Sequence, residues 1–168
     1  MNEAEKRKHR CCFTGHRPEK LRMSEKEVKH ALRLEINRAV KNGFFTFISG
    51  MSRGVDIWAA EQILLLREKN TAIHLICALP FYGFEKQWST EWKTQYHRIL
   101  DQADIVRIIC PSFSFYSYQR RNEWMVDRSS LLIAVFNGEQ GGTKNTIDYA
   151  EARGIEVAMI DIQRSSKA

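Results

Sequence analysis

The feature that most constrains the fold is the recurrence of short apolar runs separated by longer amphipathic stretches. The runs are "CCFTG" (11–15), "FFTFIS" (44–49), "AIHLICALP" (72–80), "DIVRIIC" (104–110), "LLIAVFN" (131–137) and "IEVAMIDI" (155–162). Runs this short, without clean polar alternation, read as strands buried on both faces. Between the first two, "SEKEVKHALRLEINRAVKNG" opens with Ser24 and Glu27 in capping-box spacing. It repeats Val28, Leu32, Ile36, Ala39 and Val40 at helical spacing and closes at Gly43. "VDIWAAEQILLLREK", a segment from Gly83 or Phe84 to Ala103, "QRRNEWMVDRS" and "GGTKNTIDYAEARG" supply the other helices. Trp88, Trp92, Tyr96 and Ile99 form the stripe of the Gly83–Ala103 segment and read as core. Strands alternating with helices imply right-handed βαβ units. The expectation is an α/β fold, a Rossmann-like three-layer sandwich with a mainly parallel sheet of about six strands.

A chain of 168 residues suits a single domain, 1–168, with residues 1–10 and 163–168 expected as tails. "EKRKHR" (5–10) reads as a solvated basic arm and accounts for part of the formal net charge of +6. The remaining excess favours anionic partners, including nucleotides and nucleic acid. Cys11, Cys12, Cys77 and Cys110 form no CxxC pair and sit in or beside apolar runs, so free buried thiols are expected. No HExxH or paired Cys/His ligands are present, and neither a metal nor a cofactor is implied. The N-terminus is basic and polar with no apolar core of a signal peptide, and no run approaches membrane-spanning length. A reduced, cytoplasmic protein without membrane partners is expected; homo-oligomerisation stays open.

In an open α/β sheet, ligands bind beyond the carboxyl ends of the strands. Those ends are followed by "TGHRPEK", "SGMSRGVD", "PFYGFEKQW", "PSFSFYSYQRRN" and "NGEQGGTKNT", which concentrate glycines, hydroxyls, arginines and aromatics. Gly50 and Gly54 would let the backbone turn tightly and approach a ligand. The helix starting near Arg53 or Gly54 would present free N–H groups and a positive dipole end to a phosphate. Gly141, Gly142 and Thr143 repeat that arrangement. Each loop alone is equally a plain turn with an N-cap; the two together, with Arg17 and Arg121 in adjoining loops, favour an anion site. The usual fingerprints are missing: there is no GxGxxG after the first strand, no GxxxxGK[ST] and no GxSxG elbow around Ser49 or Ser52.

"TGHRP", "SGMSRGVDIWAAE", "RRNEWMVDRSSLLIAVFNG" and "GGTKNT", in that order, resemble the YpsA-like family of the SLOG superfamily from Cys12 to Ile160. That superfamily also holds DNA-processing protein A and the LOG phosphoribohydrolases. The resemblance implies a Rossmann-like fold that binds a nucleotide-derived small molecule. Its motifs map onto Gly15, His16 and Arg17, onto Ser49, Gly50, Gly54 and Asp56, onto Arg121 and Asn122, and onto Gly141, Gly142 and Thr143. "SGMSRGVD" is also similar to a stretch of DNA-processing protein A, whose Rossmann-like domain binds single-stranded DNA. The LOG signature PGGxGTxxE is not intact: "NGEQGGTKNTIDYA" stands there, and its catalytic Glu falls at Thr146. Asp56 and Glu123 remain as carboxylates for acid–base work, for binding a ribose or for pinning a loop.

Three readings follow. The first is a nucleotide-binding sensor or regulatory module, which needs only the glycines, arginines and aromatics above. The second is a nucleotide or nucleotide-sugar hydrolase. The third is a binder of single-stranded nucleic acid, for which Phe113, Phe115, Tyr116 and Tyr118 are stacking candidates and the net charge is suitable.

Overall fold

The computed structural model describes residues 1–162; the expected tail at 163–168 lies outside the described residues. Six strands form one all-parallel sheet: β1 (Arg10–Thr14), β2 (Thr46–Ser49), β3 (His74–Leu79), β4 (Ile105–Ile108), β5 (Leu131–Phe136) and β6 (Glu156–Asp161). Their order is β4-β3-β2-β1-β5-β6. The chain steps outward from β1 to β4, then returns to lay β5 on the other side of β1. That reversal places a switch point between β1 and β5, where the loops diverge and leave a crevice.

The helices are α1 (Glu3–Arg7), α2 (Glu25–Lys41), α3 (Val55–Lys69), α4 (Thr90–Gln102), α5 (Ser117–Asp127) and α6 (Gly142–Ala152). Alternate strand residues feed two cores. Phe13, Phe47, Leu75 and Ile133 pack against α2, α3 and α4; Cys12, Ile48, Ile76 and Leu132 pack against α5 and α6. This is the three-layer sandwich that the uninterrupted apolar runs require. Ser24 caps α2 by accepting the Glu27 N–H at 3.2 Å, and Val28, Leu32, Ile36 and Ala39 are its buried stripe.

Three elements differ from expectation. Residues 1–10 are not a loose arm. Asn2 and Glu5 close a capping box around α1, Arg7 Nε donates to the Ser129 carbonyl at 3.2 Å, and Arg10 already belongs to β1. The helix expected from Gly83 starts instead at Thr90, because Gly83 turns at φ 82° and Ser89 caps the new start by accepting the Trp92 N–H. Phe84 and Trp88 have helical spacing but belong to that turn. β4 is not buried on both faces: it is an edge strand, and Ile105, Val106 and Ile108 are all exposed. All four cysteines are free and buried, as expected.

Candidate functional site

A cleft of about 320 Å³ opens at the carboxyl edge of the sheet, over the β1–β5 switch point. Five successive βα connections contribute to it. Gly15, His16, Arg17 and Lys20 follow β1; Ser52, Arg53 and Asp56 follow β2; Phe84 and Trp88 follow β3. Tyr118, Arg121 and Asn122 come from α5, and Gly141, Gly142 and Thr143 follow β5. Most of the sequence-predicted residues therefore meet in one place. Ser49, Gly50, Gly54 and Glu123 are not among the residues lining the cleft. Glu123 instead adds its charge to the surroundings of Arg153.

The loop after β2 is filled by the protein itself. The Ser49 hydroxyl is fully buried; it donates to the Asp56 carbonyl at 2.8 Å and accepts the Met51 N–H at 3.2 Å. Met51, also buried, is held at φ 63°, a conformation non-glycine residues seldom adopt. Gly54 caps α3 at φ 92° and ψ −125°, where only glycine sits comfortably, and an added Cβ would lie 2.7 Å from the His16 carbonyl oxygen. A Cβ on Gly50 would meet the Arg121 guanidinium at 2.8 Å, and one on Gly15 would meet Val55 at 2.5 Å. These glycines let protein segments approach one another. At Gly50 and Gly54 the space expected for a ligand is taken by protein.

Arg121 is 3% exposed and is the clamp of this loop. Its Nη1 donates to the Gly50 carbonyl, its Nη2 to Ser52 Oγ at 3.3 Å, and its Nε to Asn122 Oδ1 at 2.8 Å. Asp56, in the first turn of α3, accepts the Ser52 N–H at 3.3 Å through Oδ2; its Oδ1 is buried and has no hydrogen-bond partner among the described residues. Burial pushes the Asp56 carboxyl up to about 6, against the opposing pull of the Arg121 charge and the Ser52 N–H. Arg53 is also engaged, in an ion pair with Glu19 at 2.8 Å.

The loop after β5 is the opposite case. α6 begins at Gly142 with Gly141 as its N-cap and no side-chain cap, so the first N–H groups of the helix face the cleft without an internal partner. Nothing lies within 4 Å of a Cβ built on Gly141 or Gly142. Arg17 and Lys20 stand at the same cleft, and their charged groups make no hydrogen bond or ion pair among the described residues. His16 ties the two sides of the switch point together. Its Nε2 accepts the Asn137 N–H at 3.0 Å, which leaves the ring proton on Nδ1, 3.4 Å from Thr143 Oγ1. Burial, reinforced by Lys20, lowers the His16 pKa, so the ring is neutral at pH 7 and its role is to hold the loops together. Thr146 is buried and donates back to the Gly142 carbonyl at 2.8 Å.

Sequence reasoning missed Lys20, although it lies in the same "TGHRPEK" loop as Arg17, and missed the anchoring role of Asn137. Trp88 packs against the core as its spacing predicts, and together with the buried Phe84 it also borders the cleft. Among the described residues no group of three or more His, Cys, Asp or Glu could hold a metal ion, and no helix is long and apolar enough to cross a membrane.

Comparison with known proteins gives the same outline. The UPF0398 protein YpsA of Bacillus subtilis (strain 168) is 32% identical over 153 residues, covering 84% of this chain and 83% of that protein. The SPbeta prophage-derived protein YoqJ of the same strain is 32% identical over 123 residues, covering 66% and 72%. Among solved structures, DNA processing protein A from Helicobacter pylori superposes with a TM-score of 0.62 at 17% identity, over 92% of this chain and 66% of that one. Its counterpart from Streptococcus pneumoniae gives 0.59 at 14% identity over 89% of this chain; the match spans about half of that protein, 49%. At such identities the likeness speaks for the fold. Residues 11–164 match the profile of the YpsA family, described as the YspA SLOG family, and the chain belongs to that family.

Proposed function

We propose that the cleft binds a nucleotide or nucleotide-derived phosphate ligand, and that the protein works in the cytoplasm as a sensor or regulatory module. One observation carries this reading: the uncapped N-terminus of α6 opens onto the switch point with clear space at Gly141 and Gly142, beside the unpaired Arg17 and Lys20. Free N–H groups, a helix dipole and two cations are what a phosphate needs. Trp88 and Tyr118, which are not buried, are the rings at the cleft that could meet a base. A hydrolase would need a carboxylate at the ligand; Asp56 and Glu139 line the cleft, Glu123 does not, and Thr146 in the LOG glutamate position brings none.

The test is a thermal-shift screen of nucleoside mono-, di- and triphosphates, with mass spectrometry of small molecules that copurify. A nucleotide should raise the melting temperature, and Arg17→Ala with Lys20→Ala should abolish that rise while the unliganded protein stays as stable. No shift with any nucleotide or with inorganic pyrophosphate would sink the reading.

A second reading is single-stranded DNA binding. It is favoured by the Helicobacter pylori structural neighbour, described as a single-stranded DNA binder, and by the exposed Phe113, Phe115 and Tyr116 on the loop after β4. For DNA, log affinity should fall with log salt at a slope of about −0.7 per phosphate contacted. Polarisation titrations of a labelled oligonucleotide decide it; absence of binding at low salt removes it.

A further inference from the structure

Resting on the nucleotide reading, we infer that Asp56 reads a ribose hydroxyl, so that the cleft selects ribonucleotides over nucleotides whose sugar lacks hydroxyls. The starting point is the orphaned carboxylate oxygen. Asp56 is only 7% exposed and lines the cleft; Oδ2 has the Ser52 N–H, while Oδ1 has nothing. A buried acceptor without a partner is rare and demands a donor from elsewhere. Arg121 acts on Asp56 through its charge, but its three hydrogen bonds go to Gly50, Ser52 and Asn122 and none reaches Oδ1. A metal ion is a poor candidate, since no second or third carboxylate, imidazole or thiolate joins Asp56 among the described residues. A neutral O–H donor remains. The terminal torsion of an aspartate is broad, so a modest rotation presents the free oxygen to the cleft.

The order of groups along the sheet edge says which part of the ligand meets Asp56. Connections at the carboxyl edge follow strand order, here β3, β2, β1, β5. The β3 connection brings Trp88, backed by the buried Phe84. The β2 connection brings Asp56, the β1 connection Arg17 and Lys20, and the β5 connection the open N-terminus of α6. Neighbouring strands are about 4.8 Å apart, so the row from β3 to β5 spans about 14 Å. Rings, carboxylate, cations and N–H groups lie in the sequence of a nucleotide's base, sugar and phosphates. The carboxylate stands where the sugar falls. A hydroxyl donating to a carboxylate makes a charge-assisted bond, and its loss leaves the carboxylate unpaired in the complex.

The experiment is isothermal titration calorimetry of the four ribonucleoside 5′-diphosphates, their 2′,3′-dideoxy counterparts and inorganic pyrophosphate, against the wild-type chain and Asp56→Asn. The wild type should bind at least one ribonucleotide about 10- to 100-fold more tightly than its dideoxy form, the loss expected for one hydrogen bond to a charged group. Asp56→Asn should shrink that ratio, because its amide offers a neutral hydrogen bond in place of the charge-assisted one, and it should bind pyrophosphate no more weakly than the wild type, having lost a nearby negative charge. Equal binding of both sugars by the wild type overturns the inference while leaving the nucleotide reading standing, and it needs no variant. A ratio that survives undiminished in Asp56→Asn, or a variant that loses pyrophosphate as well, overturns it too. No binding of any nucleotide or pyrophosphate overturns both readings.

Discussion

The connections after β2 and β5 look alike as sequence: each runs from an apolar strand through two glycines into a helix. Folded, they are opposites. Around Gly50 and Gly54 the space is taken up by Arg121 and by the His16 carbonyl, and the backbone carries one strained residue, Met51. Around Gly141 and Gly142 nothing comes within 4 Å. A glycine serves equally to let protein approach protein and to leave room for something else, and only the neighbours reveal which. The same distinction separates the arginines: Arg121 is consumed by the loop after β2 and Arg53 by Glu19, while Arg17 is left over.

The largest expected effect breaks the filled loop. Gly54→Val places a β-branched side chain at φ 92° against a backbone carbonyl. It should destabilise by on the order of 4 kcal/mol, lowering the unliganded melting temperature by about 2–4 °C per kcal/mol. A melting curve unchanged from wild type would show that the two loops are not different in kind.

Next is Arg121→Met, which keeps volume but leaves the Gly50 carbonyl unpaired and removes the cation nearest in effect to Asp56. Removing one member of a buried charged network costs about 3 kcal/mol, read by urea denaturation. The Asp56 carboxyl should move further up, measurable by carboxyl-resolved NMR titration.

Asp56→Asn should work in the other direction. In the folded chain Asp56 keeps its proton up to about pH 6, whereas in the unfolded chain it titrates near 3.8. The folded state therefore binds the extra proton inside that window, and its stability falls as pH rises from about 4 to about 6. The asparagine variant, which cannot ionise, should match the wild type near pH 4. By pH 7.5 it should be more stable by on the order of 2 kcal/mol. A gap of the same size at both pH values would remove ionisation as its cause.

The smallest effect sharpens the comparison. Gly142→Ala meets open space at a position whose backbone suits any residue, so stability should change by less than about 1 kcal/mol and in the favourable direction. Pyrophosphate affinity should nevertheless fall, because the methyl group stands before the N–H groups of α6. Unchanged affinity would move the phosphate away from this helix.

The layers and the strand count were legible because six apolar runs alternate with amphipathic stretches, a pattern few other folds satisfy. The start of α4 was misread because Phe84, Trp88 and Trp92 share the spacing of a helix face, while the Gly83 turn and the Ser89 cap decide the matter locally. The exposure of β4 was hidden because strand order is a tertiary property: "DIVRIIC" has the composition of an inner strand. In the cleft, the gathering of Gly15, Arg17, Arg121 and Thr143 followed from their positions after strands. The division of work did not. Whether an arginine is clamped or free depends on a carbonyl 71 residues away, as with Arg121 and Gly50, and no local pattern records that pairing.

The buried thiols described with the fold have a practical consequence. Burial raises the Cys12 and Cys77 thiols to about 12 and pushes Cys11 well above its ordinary value, so at neutral pH these side chains hold almost no reactive thiolate. Cys11 and Cys12 sit in β1 beside the switch point, and Cys77 sits in β3. An alkylating reagent in solution therefore acts as a stopwatch for the sheet interior: each modification of Cys11, Cys12 or Cys77 marks an occasion when those strands parted. A molecule that bridges the β1 and β5 loops should make those occasions rarer, and the slowing of thiol labelling would then report its presence without any need to know its identity.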